Sequence, residues 1–404
     1  MLFLLTDQTV PLLFFFVNGL LFAALLGIKG IKDKHHPSQW LSVFTLLCSG
    51  YLIPWMCGHA NWYFNEPYRE ILFYVPTMQV LFLGPVIYFY TRSLLDSRFR
   101  CIGKDWLHFL PGFAYLLYSV VVFVTDKLIL HRPYFYADGR DKDLADWYQL
   151  AGWMSMIIYA VMSIREYNRY YKRIFNEVSY ADTVTFRWVK RYLVAFVTMQ
   201  VLFGIFLVLF PEWGSFSNKW WYYLAFGILS FYIAFAGYIQ ASQAGLLFEL
   251  PLQQKEHTES TEVAEQPAIL PSEADNHPEW DAWKIKIEDL MRTERLYENA
   301  RLSLNDLAIK LHTNPTTISK AINQCFQMNF NDYVNNYRVE EVKKLILKGV
   351  HRQQTLLGIA YDAGFNSKTT FNRVFRKNTG KSPKAYLDEL QSPENEVPNQ
   401  EMDR

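Results

Sequence analysis

Cysteine is scarce in this 404-residue chain. Cys48, Cys57, Cys101 and Cys325 are scattered, with no C-x-x-C pair and no Cys/His spacing of metal-ligand type. A disulfide framework and a structural zinc site are therefore not what organises the fold. Equally absent are a Gly-rich phosphate loop, a nucleophile elbow and an H-E-x-x-H helix. His35, His36, His59, His108 and His131 lie at loops and ends of apolar runs, without carboxylate or Cys partners at catalytic or metal spacing, and read as ordinary interfacial residues. Catalysis has no foothold in this pattern, so a non-enzyme with no cofactor and no metal is expected. An excess of one charge is missing too, but the formal net of +1 averages over unlike segments. Residues 249–279 hold eight acids and one Lys, whereas residues 301–390 hold 14 Lys+Arg against 7 Asp+Glu.

What is present in excess is apolar length. Hydrophobic residues make up 51% and aromatics 17% of the chain, high for a soluble protein. Seven runs of about 20 mostly apolar residues lie near 10–30, 39–58, 70–94, 106–125, 146–165, 189–211 and 219–241, each long enough to cross a bilayer with its backbone groups paired internally. Trp40, Trp62, Trp106, Trp147, Trp220 and Trp221 gather at run ends, where an amphipathic ring suits the headgroup layer.

With the N-terminus outside, inner loops carry thirteen basic residues, among them Lys29, Lys32, Lys34, Arg98, Arg100, Lys104, Arg165, Arg169, Lys172 and Arg173. Outer loops carry six: Arg69, Lys127, Arg132, Arg140, Lys142 and Lys219. The positive-inside rule and an odd number of spans then put everything after residue 242 in the cytoplasm, as part of a multi-pass inner-membrane protein. A cleaved signal peptide is the alternative for the first 30 residues, but the basic cluster follows the apolar run rather than preceding it. Asn18, Gln79 and Gln200 inside the runs either line a ligand cavity or bond between helices.

Residues 249–279, acidic, Pro-containing and poor in aromatics, read as a flexible tether. Trp280, Trp283, Ile287, Leu290 and Met291 recur at helical spacing, which predicts an amphipathic connecting helix over 280–298 that packs on the following domain or pairs with a second copy. Residues 391–404 are an acidic tail expected to be disordered.

Between these, the pattern predicts two helix-turn-helix units. In SLNDLAIKLHTNPTTISKAINQCFQ, Leu304, Leu307, Ala308 and Leu311 share a face, His312 to Asn314 turn the chain, and Pro315 opens a helix burying Ile318, Ile322 and Phe326. Thr316, Ser319, Lys320 and Asn323 point out. Residues 330–348 form a longer connecting rod, with Phe330, Val334, Tyr337, Val342, Leu345 and Ile346 inward. The second unit repeats the first: Leu356, Ile359, Ala360 and Ala363 make a short helix, Gly364 ends it with a positive φ, Phe365 enters the core and Ser367 caps the next helix. Phe371, Val374 and Phe375 face in, while Lys368, Thr369, Asn372, Arg373, Arg376 and Lys377 face out before Gly380. A major groove about 12 Å wide admits one such helix, and two on one rod reach successive grooves about 34 Å apart.

LSLNDLAIKL, NFNDYVNNYR and IAYDAGFNSKTTFNRVFRKNTGKSP are together similar to the DNA-binding domain of the AraC/XylS family of bacterial transcription regulators, over residues 299–390. The resemblance implies base contacts from the outward positions of both recognition helices: Thr316, Ser319 and Lys320, with Asn323 beside them, and Lys368, Thr369, Asn372 and Arg373, with Lys377 beside them. Lys320 stands where the family commonly has Arg, and Gly358 is an unfavourable helix residue; both imply modest affinity in one monomer.

The fold class expected is all-α, a seven-helix transmembrane bundle over 1–248 joined to an AraC-type double helix-turn-helix domain. The function expected is a one-component transcription regulator in the membrane, with promoter DNA, the lipid bilayer, an unidentified signal ligand or membrane partner, and a second copy as its partners. Two alternatives stay open at this level: a transporter- or receptor-like bundle with an accessory DNA domain, and an anchored regulator freed by proteolysis in 249–279. The near absence of charged residues inside the spans argues against transport.

Overall fold

The computed structural model describes residues 3–96, 98–248 and 278–391, all helix and connecting turns apart from one isolated β-bridge between Val178 and Ser303. The predicted tether, except for its last two residues, and the acidic tail, except for Gln391, lie outside the described residues. The described residues fall into two compact units. One comprises those up to Asn168 together with Arg187–Phe248, and the other joins Arg169–Phe186 to the residues from Pro278 onward.

In the first unit, α1 (Thr9–Lys32) and α2 (His36–His59) are joined by a three-residue turn in which Lys34 takes a left-handed φ of 51°. They pack along each other through small residues: a Cβ on Gly19 or Gly27 would meet Ser49 Oγ or Ser42 Oγ, and Ser42 donates to the Ala23 carbonyl at 2.6 Å. Close approach through Gly and Ser is how helices associate where lipid removes the hydrophobic drive between them. Next come α3 (Tyr68–Tyr74), α4 (Val80–Leu95), α5 (Leu110–Phe123), α6 (Asp146–Glu177), α7 (Arg187–Leu209) and α8 (Trp220–Phe248). Aromatic contacts seat α8 on α1 and α2, with Trp55 stacked on Tyr223 at 4.1 Å and Phe22 edge-on to Phe231 and Phe235.

Five stretches among the described residues are long and apolar enough to cross a membrane, rather than the seven predicted: Thr9–Lys32, His36–His59, Gly103–Ile129, Arg187–Leu209 and Trp220–Ser242. The run at 70–94 is broken because Pro76 drives Val75 into extended backbone, ending α3. What remains, α4, has 16 residues and rises about 24 Å, short of a core about 30 Å thick. The run at 146–165 falls within the 32-residue α6. Its apolar part is diluted by Trp147, Tyr148, Gln149, Trp153, Ser155 and Tyr159. Of the three amides, Gln200 bonds between helices, accepting from Tyr222 Oη at 3.0 Å, whereas Asn18 and Gln79 donate to the nearby carbonyls of Phe14 and Pro76.

The segment before α6 buries two carboxylates. Asp141 Oδ2 accepts from Tyr63 Oη at 2.6 Å, and Asp143 accepts from Tyr115 Oη at 2.6 Å and from the Met78 amide at 3.1 Å. Burial, and after it the neighbouring Asp141, pushes the Asp143 pKa up to about 7, and burial raises Asp141 as well.

The second unit contains α9 (Pro278–Thr293), α10 (Leu304–Lys310), α11 (Pro315–Phe326), α12 (Phe330–Leu347), α13 (Leu356–Asp362), α14 (Lys368–Thr379) and α15 (Pro383–Gln391). Ile287 and Met291 of α9 are buried in the same core as Leu307, Ile318 and Phe330, so the amphipathic helix packs on its own domain.

A carboxyl whose pKa is higher folded than unfolded holds more protons in the native state, so stability falls as pH rises from about 4 to about 7. Asp143→Asn, which mimics the protonated form, should gain in thermal midpoint relative to the parent chain across that window. Parallel pH profiles for the two proteins would contradict the buried-carboxylate account.

Candidate nucleic-acid interface

Each helix of the double unit starts at a side-chain cap. Ser303 and Asp306 form a reciprocal capping box on α10, Asn314 accepts from the Thr317 amide at 2.8 Å on α11, and Ser367 accepts from the Thr370 amide at 3.1 Å on α14. The turn between α10 and α11 is made by His312 at φ 50°. α13 is closed by Gly364 at φ +93°, where a Cβ would lie 2.2 Å from the Tyr297 carbonyl oxygen. Both backbone conformation and space exclude any other residue there.

α12 serves both halves. Phe330, Tyr333 and Val334 enter the core shared by α9, α10 and α11, while Val339, Val342 and Ile346 enter the core shared by α13 and α14 with Phe365, Phe371 and Phe375. The connecting rod read from the sequence thus has one end in each helix-turn-helix core. Tyr337, Leu345 and Phe326, predicted inward, pack only partly buried at the edges of these cores.

Of the first set of predicted site residues, Thr316, Lys320 and Asn323 are exposed on α11, and Ser319 is half-buried. Of the second, Lys368, Thr369, Asn372 and Lys377 are exposed on α14, and Arg373 is half-buried. Lys368, Asn372, Arg373, Arg376 and Lys384 line a groove beside α14. The helix therefore displays four cations and two neutral hydrogen-bonding side chains on the face opposite its core, a surface able to neutralise phosphates and to reach base edges. Two of those cations already have partners: Lys377 Nζ pairs with Asp332 at 2.9 Å, and Arg373 pairs with Asp182.

Sequence reasoning missed what lies between the two cores. Arg338, 1% exposed, uses all five of its donors: Nε to the Tyr297 carbonyl at 2.8 Å, Nη2 to the Asn299 carbonyl and Ser179 Oγ at 2.9 Å each, and Nη1 to the Ser179 carbonyl at 3.3 Å and Asn335 Oδ1 at 3.1 Å. Burial lowers its pKa to about 9, so it stays charged at neutral pH. Asn331 donates to the Ser179 carbonyl at 2.8 Å and accepts from Asn335 at 3.1 Å. The available signal was the spacing of Asn331, Asn335 and Arg338 at i, i+4 and i+7, a polar stripe on one face of a helix otherwise read by its apolar residues.

Residues 307–389 match the family model described as a helix-turn-helix domain, so the C-terminal region is a domain of this DNA-binding type. A stretch of 123 residues is 29% identical to the uncharacterized HTH-type transcriptional regulator YijO of Escherichia coli (strain K12), covering 28% of this chain and 42% of that protein. Over 92 residues it is 29% identical to the uncharacterized HTH-type transcriptional regulator YobQ of Bacillus subtilis (strain 168), covering 23% of this chain and 37% of that one. The chain thus spans less than half the length of either relative. No solved structure matches it. The AraC-type resemblance is supported over the helix-turn-helix region, and the long apolar helices lie outside the matched residues.

The glycine geometry separates two substitutions of the same chemistry. Gly364→Ala should cost at least about 3 kcal/mol, because strain and a backbone clash add. Gly380→Ala, at φ +75° with open space around it, should cost about 1–2 kcal/mol. Equal losses in denaturant midpoint for the two variants would contradict the close approach of Gly364 to Tyr297.

Proposed function

We propose that the chain is a membrane-embedded, one-component transcription regulator that binds double-stranded DNA through two helix-turn-helix units. The observation that carries this reading is α12, one continuous helix with a helix-turn-helix core at each end, each core supporting a recognition helix whose outer face is polar or basic. Thr316, Ser319, Lys320 and Asn323 form the first contact set and Lys368, Thr369, Asn372, Arg373 and Lys377 the second. Arg373 and Asn372 are the residues best suited to base edges, as Arg pairs with guanine and Asn with adenine, while the lysines neutralise phosphates.

The membrane part of the proposal rests on the five apolar stretches; counting α4 and α6 as well gives seven. With five passes or seven, Arg169–Phe186 and the helix-turn-helix domain fall on the same side. That parity agrees with their sharing one compact unit. The basic residues Arg165, Arg169, Lys172, Arg173, Arg187, Lys190 and Arg191 in and around that segment favour the cytoplasmic side. A signal sensed within or outside the bilayer then alters how the domain is presented to promoters, as one copy or as a homodimer.

The test is selection of genomic duplexes by the full chain in lipid nanodiscs, followed by titration of the enriched sequence. Arg373→Ala should cost roughly 1–3 kcal/mol and relax preference at one base pair, whereas Lys368→Ala should weaken all sequences alike and lower the salt slope by about 1. Failure to enrich any sequence over the input pool would refute the proposal.

A further inference from the structure

The segment between α6 and α7 is anchored in the helix-turn-helix unit. The Ser179 amide donates to the Leu302 carbonyl at 3.0 Å, Val178 bridges to Ser303, and the Ser179 carbonyl and hydroxyl are held by Asn331 and Arg338. Ser179 and Ala181 are fully buried, so this docking excludes water over several residues. Next along the chain, a single 3-10 turn over Ala181–Thr183 carries Asp182, whose carboxylate is 6% exposed and forms an ion pair with Arg373 on the outer face of α14. The unit therefore contains a docked element of the chain's own membrane-proximal part, and that element holds an acid against a residue of the DNA-facing surface.

We propose that Asn331, Asn335 and Arg338 form an intramolecular docking site for residues 178–182, and that Asp182 held there competes with DNA for Arg373. The inference rests on the DNA-binding reading of α14 and adds its regulation. Charge sets the two states in competition. A guanidinium with Nη2 held by a nearly buried carboxylate must give up that bond before it can offer its full fork to a guanine edge, and DNA brought up to Arg373 places its own negative charge beside Asp182. Because the docked residues connect directly to α6 and α7, a change in the spacing or rotation of those helices pulls on the same element that holds Asp182 against Arg373. The polar seam accounts for reversibility. Its bonds go largely to carbonyl and hydroxyl oxygens, whose place water takes on release, so undocking leaves the exposed donors and acceptors satisfied.

The full chain in nanodiscs, titrated with a 40-bp duplex carrying the sequence it enriches, tests this with three variants. Asp182→Asn should bind roughly five-fold tighter than the parent, Arg373→Ala should bind more weakly, and Asp182→Asn should add nothing in the Arg373→Ala background. If Arg373→Ala leaves binding unchanged, the interface reading of α14 fails and the competition with it. If Arg373→Ala weakens binding but Asp182→Asn does not strengthen it, only the competition fails, and if Asp182→Asn weakens it, Asp182 positions Arg373 rather than covering it. Hydrogen exchange on the unmodified chain gives a readout independent of any variant's folding: amides 178–184 should exchange faster when the duplex is saturating. Unchanged or slower exchange there would overturn the proposal.

Discussion

The charged side chain of Arg338 is the constraint on which the helix-turn-helix unit depends. A guanidinium removed from water is tolerable only if its donors are satisfied, and here five acceptors from three stretches of chain meet around it: α12 itself, the turn at Tyr297–Asn299 that precedes α10, and Ser179 from between α6 and α7. Leaving such a network half-made would cost on the order of 3–5 kcal/mol. Any sequence of events that separates those stretches must first rehydrate the guanidinium.

From that point the two cores follow. Arg338 sits between Val334, which belongs to the first core, and Val342, which belongs to the second, so α12 is apolar toward each lobe and polar at its waist. Gly364 brings the backbone of the second lobe against the Tyr297 carbonyl that Arg338 also holds. Without a Cβ at that position the second unit closes on the same carbonyl that fixes the first, and the spacing of α11 and α14 is set by backbone contacts rather than by flexible surface side chains. A rigid separation matters for the proposed reading of two grooves, because bases one helical turn apart are met simultaneously only if the recognition helices are pre-positioned.

The elements of this unit were legible because their periodicity, caps and turn residues agree: Ser303, Asn314, Ser367, Gly364 and Gly380 each mark a boundary that the structure places within a residue or two. In the apolar half, composition identified the long runs but not their interruptions. Pro76 acts on the residue before it, and its effect decided whether 70–94 was one helix or two. Docking of 178–182 was illegible for another reason. Hydropathy assigns polar residues to solvent, and nothing local distinguishes Ser179 or Asp182, buried by a partner more than 150 positions away, from a solvated turn. The outward face of α14 was read correctly as polar and basic, yet the acids that meet Arg373 and Lys377 were not, since long-range ion pairs leave no periodic trace.

The central claim is that one rod presents two groove-reading helices at a fixed spacing. Hydroxyl-radical footprinting of the full chain in nanodiscs on an enriched duplex tests it most directly. The account predicts two protected patches on one face of the DNA, centred about 10 bp apart, as the 34 Å repeat of the duplex requires. A single patch of a few base pairs, or protection that follows no helical phase, would contradict it.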